Sequence, residues 1–266
     1  MKRLEGRSVL VTGAAQGMGK AIALRAAREG AAAVTLADIK DAEGEAAARE
    51  VAAIGAKALF VRTELRSADA IAAMVAAAAD LGGGLDVLVN NAGVTDDGFT
   101  GGPQTLESLS EDQWDAMMDI NVKAIWRAVR AAAPWLRKSD KAPAIVNAAS
   151  VASTFAYPGL PAYSVAKGAV KLLTQIIAAD YAPDGIRCNA YAPGAIATPM
   201  LMHSIESAED PEAMVKLTSG PHMIKRLGEP DEAAALACFL ASAEASFITG
   251  TTVLVDGGTS AWRGTA

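Results

Sequence analysis

Short runs of β-branched and apolar residues alternate along this chain with longer, alanine-rich stretches of helical character. The pattern predicts strands at Ser8–Thr12, Ala33–Ala37, Ala58–Arg62, Val87–Val89, Ala144–Asn147, Arg187–Ala190 and Thr252–Val255. It predicts helices at Met18–Glu29, Ala42–Ala53, Ala68–Leu81, Glu111–Trp135, Ala162–Tyr181 and Asp231–Ala241. Strands alternating with helices imply an α/β fold, a doubly wound, seven-stranded parallel sheet with helices on both faces. The strands are apolar nearly throughout, as expected when both sheet faces are covered.

Helix starts carry local signals. Ser110 and Gln113 have capping-box spacing, and Pro230 with Asp231-Glu232 places a fixed φ and two acids at the positive end of the last helix. No low-complexity linker and no solenoid-period repeat interrupts the chain, so residues 1–266 read as one domain. Two stretches lack periodicity. Thr95–Thr105 is polar and glycine-rich, and Ala197–Gly228 scatters Met200, Met202, Met214 and Met223 among prolines and charges. The second, at about 197–228, is expected to be a substrate lid, mobile until ligand binds.

Composition narrows the class. With 266 residues and 52% hydrophobic content the chain can bury a large core, and at a net charge of −6 its Lys and Arg residues are scattered. That balance argues against nucleic acid or an anionic membrane as partner. The apolar run after Met1-Lys2-Arg3 is too short for a signal peptide. Cys188 and Cys238, 50 positions apart without metal-ligand spacing, read as buried free thiols. A cytoplasmic protein is expected. His203 and His222 are the only histidines, and rim positions in the lid are expected for both, with no metal site.

Candidate chemistry begins after the first strand. In Thr12-Gly13-Ala14-Ala15-Gln16-Gly17-Met18-Gly19 the glycines let the backbone turn sharply and approach a pyrophosphate at a helix N-terminus. The spacing G-x3-G-x-G departs from the broader G-x-G-x-x-G fingerprint of Rossmann folds. Asp38, 19 residues after Gly19 at the end of the second strand, would accept from ribose hydroxyls and repel a 2′-phosphate. This favours NAD over NADP, although Lys40 lies close by.

Tyr163 and Lys167 are four apart at the start of a helix, so they share a face. A phenol is a poor base with its pKa near about 10, and lowering it by about 3 units takes about 4 kcal/mol of differential stabilisation. A neighbouring ammonium in a site closed from water is one source of that energy. Ser150, ending the fifth strand, is placed to hold a carbonyl oxygen.

Gly13/Gly17/Gly19, Asn90-Asn91-Ala92-Gly93, Asn121, Ser150, Tyr163-x3-Lys167 and Pro193-Gly194 with Thr198 stand in order and spacing that resemble the NAD(P)-dependent short-chain dehydrogenase/reductase family. The resemblance spans roughly residues 7–258 and ends on Asp256-Gly257-Gly258. It implies a single Rossmann-like domain and hydride transfer between a secondary alcohol and a ketone, with Tyr163 moving the hydroxyl proton. Lys167 would lower the pKa of Tyr163 and hold the nicotinamide ribose, Ser150 would orient the substrate oxygen, and Asn121 would hold a water leading from Lys167 to solvent. The resemblance places the cofactor against Gly13, Gln16, Gly17, Met18 and Gly19, then Asp38, Glu64, Leu65, Asn91, Ala92 and Gly93. Farther along the chain, Ile196 would meet the carboxamide and Thr198 the carboxamide or pyrophosphate, beside Pro193 and Gly194. Glu64-Leu65 stands where the family commonly has Asp-Val, and Ala192 precedes Pro193 where it commonly has Asn.

Val94, Thr95, Ser153, Phe155, Tyr157 and Met200 are candidate substrate-pocket residues. Pairing through Glu111–Trp135 and Ala162–Tyr181, commonly as a homotetramer, follows from the resemblance, with Val253–Trp262 in a second interface. Two other functions compete. One is an NADP-dependent ketoacyl reductase for carrier-bound substrates, with Arg127 and Arg130 meeting an acidic carrier. The other is a nucleotide-binding scaffold without turnover.

Overall fold

A computed structural model describes residues 2–100, 102–207, 210–220 and 222–261. The strands are β1 (Ser8–Thr12), β2 (Ala33–Asp38), β3 (Lys57–Arg62), β4 (Val87–Asn90), β5 (Ala144–Ala148), β6 (Arg187–Pro193) and β7 (Thr252–Val255). They form one seven-stranded parallel sheet in the order β3-β2-β1-β4-β5-β6-β7. The helices are α1 (Gly17–Arg28), α2 (Asp41–Ile54), α3 (Ala68–Gly82), α4 (Asp97–Thr100), α5 (Glu111–Met118), α6 (Ala124–Leu136), α7 (Pro161–Tyr181), α8 (Pro199–Glu206), α9 (Pro211–Ser219) and α10 (Pro230–Ala241).

The two-residue period of a strand divides the core. Val9 and Val11 of β1 face a cluster with Ile22 of α1, Val51 of α2 and Leu240 of α10. Leu10, between them, faces Ile71 of α3, Val129 of α6 and Val170 of α7. Alanine supplies much of the helix surface in both clusters, which lets helices approach the sheet closely.

The ends of the sheet differ in character. At the N-terminal ends of the strands, Arg7 donates to the Ala241 carbonyl at 2.6 Å, and Arg187 donates to Leu240 and Ser242 at 2.9 and 2.8 Å. These guanidinium groups satisfy the last carbonyls of α10. The C-terminal ends carry the glycine-rich loops instead, and the strand order reverses between β1 and β4, where open α/β sheets form a crevice.

The predicted long helix Glu111–Trp135 is corrected. Its capping box at Ser110 and Gln113 forms, but α5 gives way to a π turn at Asp119–Lys123 before α6 begins. The widened turn buries Asn121, whose side-chain amide reaches back to the Met117 carbonyl at 3.2 Å. The aperiodic 197–228 stretch carries α8 and α9, capped by Thr198 and Asp210; its residues 208, 209 and 221 lie outside the described set.

Close packing of α1 on β1 rests on Gly19. A Cβ there would collide with the Gly13 carbonyl oxygen and reach 2.5 Å from Asn91 Nδ2. Gly19→Ala is expected to cost about 3 kcal/mol, as overpacking of a rigid backbone contact does. A thermal melt should fall by about 8 °C.

Candidate active site

Four loops converge at the crevice. The turn after β1 is left-handed at Gly13 (φ +65°), where a Cβ would stand 2.8 Å from Ala92 Cα in the turn after β4. Asn91 joins these turns: its Nδ2 donates to the Thr12 and Gly13 carbonyls at 3.0 and 3.3 Å, and its Oδ1 accepts from Tyr191 at 2.7 Å. Thr12 Oγ1 accepts from the backbone N–H groups of Asn91 and Ala92, at 3.1 Å each. The Asn91 side chain is therefore spent on the scaffold. Asn90 is too: it is buried and donates to Asn147, which donates to Thr174.

The β1 turn and the start of the 197–228 segment meet, since a Cβ on Gly17 would lie 3.4 Å from Thr198. The N-terminus of α1 opens between them without a side-chain cap. Among its first residues Gly19 is buried, while Gly17 and Met18 are half-buried. A narrow glycine cradle at an uncapped helix start suits a pyrophosphate. Asp38 stands at the end of β2, where Oδ2 accepts from Ala15 N–H at 3.0 Å and Oδ1 from Ile39 and Lys40 N–H at 2.8 and 3.2 Å. Lys40 reaches back to Gln16 Oε1 at 3.0 Å, and Arg62 donates to the Ile39 carbonyl. A carboxylate fixed by three N–H groups, with hydroxyl-accepting capacity to spare, fits an adenosine ribose. Glu64 is exposed and accepts from Arg66 N–H, with Leu65 half-buried beside it.

The reacting residues lie between β5 and α7. Ser150 follows β5, and its hydroxyl hydrogen-bonds to Tyr163. Lys167 is buried, donates to the Ala148 carbonyl at 2.8 Å, and sits 5.5 Å from the centre of the Tyr163 ring. Burial pushes the Tyr163 phenol above its ordinary pKa, against the Ser150 hydrogen bond that pulls it down; Tyr157 adds to the rise. The Lys167 ammonium faces the ring and a backbone carbonyl. Burial also pushes Lys167 down, to about 8. Asn121 closes the group: its Nδ2 donates to the Val94 carbonyl at 3.1 Å and its Oδ1 accepts from Val94 N–H at 3.3 Å. A Cβ on Gly93 would stand 2.7 Å from Asn121 Oδ1 and 3.2 Å from Lys167 Nζ, so only glycine fits between them.

Asp96 was not foreseen. It is buried after β4, and its carboxylate accepts from the N–H groups of Ala162 and Tyr163 at 3.1 and 2.9 Å. It thereby caps the first turn of α7, the turn that carries the tyrosine. An acid three residues past Gly93 was the only local signal, and its partner lies 66 positions away. Of the proposed pocket residues, Thr95 contacts Met200 at 3.8 Å, Phe155 stacks on Tyr157 at 6.4 Å between ring centres, and Val94 packs near Tyr163. Ser153 is turned inward and donates to the Ser150 carbonyl at 2.6 Å. Pro193 ends β6, and Ile196 is buried against Gly228.

A family model described as enoyl-(acyl carrier protein) reductase matches residues 13–260. The chain belongs to the short-chain dehydrogenase/reductase family. Oxidoreductase UcpA of Salmonella typhimurium is 36% identical over 260 residues, spanning 97% of this chain and 96% of that protein. Cyclopentanol dehydrogenase of a Comamonas species is 36% identical over 258 residues, spanning 97% and 98%. A Burkholderia cenocepacia short-chain dehydrogenase, solved in complex with NADP, is 33% identical and superposes with a TM-score of 0.86 over 97% of this chain and 100% of that one. The protein is thus an oxidoreductase of this family, whose members use NAD(P).

Burial of the Lys167 ammonium costs stability. Its pKa in the folded protein lies below the unfolded value, so the penalty is complete below pH 8 and is relieved as pH rises towards about 10.4. Lys167→Met is expected to stabilise the protein by about 2 kcal/mol at pH 7, after allowing for the lost bond to Ala148. Urea unfolding at pH 7 and at pH 10 checks this: the variant's advantage should shrink at the higher pH.

Proposed function

We propose that this protein is an NAD-dependent dehydrogenase interconverting a secondary alcohol and a ketone, with Tyr163 as the acid/base group. The observation that carries the reading is the Ser150–Tyr163–Lys167 arrangement, with Ser150 and Lys167 buried, opening on the same crevice as Asp38 and the glycine cradle. Gly13, Gln16, Gly17, Met18 and Gly19 hold the pyrophosphate side of the dinucleotide, with Glu64 and Leu65 towards adenine. Asn91, Ala92, Gly93, Pro193, Gly194, Ile196 and Thr198 face its nicotinamide half. When bound, the nicotinamide takes up or returns two electrons and one hydrogen at the carbinol carbon.

The chain's own residues handle the oxygen. Ser150 Oγ holds it beside Tyr163 Oη, which takes the proton from an alcohol or gives it to a ketone. The Lys167 charge favours the phenolate as it develops, in a site from which water is excluded. Asn121 and Gly93 keep Lys167 against that ring. Phe155, Tyr157, Val94, Thr95 and Met200 suit a compact alicyclic or aromatic substrate, in keeping with the cyclopentanol dehydrogenase relative. Segment 197–228 acts as the lid over it, within a single domain, 1–266.

A carrier-bound, NADP-dependent reductase is the second reading, favoured by Lys40 and Arg62 beside Asp38. Against it, Arg127 donates to the Arg66 carbonyl and Arg130 lies over Trp126, so neither side chain is held in reserve for a carrier. A cytoplasmic location is proposed from the two buried free thiols; among the described residues no helix is long and apolar enough to cross a membrane.

Turnover of a panel of secondary alcohols tests the reading. NAD should exceed NADP in kcat/KM by at least about tenfold, and equal efficiency would overturn the cofactor assignment. Asp38→Asn, which keeps an acceptor oxygen for the loop but removes the charge, should narrow that ratio. Tyr163→Phe should bind NAD normally while turnover falls by about 10² or more.

Assembly follows from uncovered apolar surface. Trp126 of α6 and Val165, Leu172 and Ile176 of α7 are exposed. So are Met223, Ile224, Phe247 and Leu254 near β7, whereas Trp262 lies outside the described residues. Two such surfaces suit a homotetramer. Light scattering at micromolar concentration should return four chains; a monomer would refute it.

A further inference from the structure

His222 was expected at the rim of the lid and is instead buried, with 3% of its surface exposed. Its ring touches two backbone groups of opposite kind. Nε2 accepts from the Ala195 N–H at 3.3 Å, and Nδ1 lies 2.7 Å from the Arg226 carbonyl oxygen. An amide N–H only donates and a carbonyl only accepts, so the ring must be neutral with its single proton on Nδ1.

These partners belong to different limbs of the site. Ala195 continues the Pro193-Gly194 turn and precedes Ile196, at the nicotinamide end of the crevice. Arg226 lies on the limb by which the 197–228 segment returns, and its guanidinium is held by Glu232 of α10 through two bonds of 2.8 and 2.7 Å. The limbs also share backbone bonds, from Gly228 N–H to the Ala195 carbonyl and from Ala197 N–H to the Gly228 carbonyl, at 2.9 and 2.8 Å. A pocket of about 320 Å³ beside the ring is lined by Gly194, Ile196, His222, Arg226 and Glu232, and gives water access to it.

We infer that His222 is a positioning residue for the dinucleotide: its neutral ring locks the Ala195–Ile196 backbone to the return limb of the lid and so fixes the surface that meets the nicotinamide. The inference rests on the dinucleotide reading above. Protonation would turn Nε2 into a donor facing the Ala195 N–H and break the lock. The charged groups that line the pocket with the ring are Asp256 after β7, Glu232 of α10 and Arg226 on the return limb. Burial raises the Asp256 carboxyl, but bonds from Ser260 and Gly258 hold it below its usual range.

The experiment measures binding rather than turnover. NADH and ADP-ribose, which lacks the nicotinamide, are titrated into the full-length protein, His222→Gln and His222→Phe at pH 8 and at about pH 5.5. At pH 8 His222→Phe should bind NADH about tenfold more weakly with ADP-ribose affinity unchanged, the loss expected for two hydrogen bonds. In the unmodified protein, NADH affinity relative to ADP-ribose should fall several-fold at the acid pH, and in His222→Gln that ratio should stay level. An unmodified protein whose ratio does not change with pH overturns the inference, as does a His222→Gln protein that keeps the full acid loss. Failure of the unmodified protein to bind either ligand would instead overturn the dinucleotide reading. Where a His222 variant loses ADP-ribose as well, the pH dependence of the unmodified protein, which needs no substitution, decides between the two outcomes.

Discussion

The crevice at the reversal of strand order depends on one seam of hydrogen bonds. β1 and β4 are neighbours, yet the chain leaves them towards opposite faces of the sheet, so their turns would separate unless tied. Thr12 Oγ1 and the Asn91 amide tie them, joining two N–H groups and two carbonyls across the gap, with Tyr191 anchoring the asparagine from β6. Each of these polar groups is at least partly removed from water, where an unpaired donor or acceptor is costly. The seam is therefore stable only when complete, and it leaves the first turn of α1 free for a ligand. The glycines follow from it: with the turns held this close, Gly13 and Gly19 have no room for a side chain.

A second constraint is the burial of charge at the top of the sheet. Lys167 has one carbonyl for a partner and loses part of its affinity for a proton, while Tyr163 gains affinity for its own. The two shifts carry the pKa values of ammonium and phenol apart, Lys167 down to about 8 and Tyr163 up from its ordinary value, so burial opposes the ammonium–phenolate pair. Asp96 complements this from the other side. Its carboxylate meets the positive end of α7 and sets the depth at which that helix starts. At the bottom of the sheet, charge serves packing alone, as Arg7 and Arg187 neutralise the end of α10.

Much of this was legible in the sequence because it is local. The seven strands, the Ser110–Gln113 box, the β1 turn and the Tyr163–Lys167 spacing are each written within a few residues. What was not legible depends on partners far away in the chain. β6 runs on to Pro193, past its predicted end at Ala190, because β7 supplies pairing as far as Pro193–Val255. The π turn follows from Asn121 gripping Val94, 27 positions earlier, which no helical periodicity encodes. His222 looked like a surface residue in a polar stretch, and only the fold reveals backbone groups waiting on both ring nitrogens.

Asp38 shows how the two levels constrain each other. Its charge opposes a 2′-phosphate, but its oxygens also hold the Ala15, Ile39 and Lys40 amides that shape two loops. A substitution that removes the oxygens along with the charge changes cofactor choice and loop geometry together, and the two effects are separable only by a side chain that keeps an acceptor. Lys40 is meanwhile drawn to Gln16, across the mouth of the same site. A cation tethered there lies close enough to answer a phosphate once the carboxylate is gone. On the NAD-dependent reading proposed above, discrimination between the two dinucleotides rests on the carboxylate of Asp38, and the cations around it set how large that discrimination is.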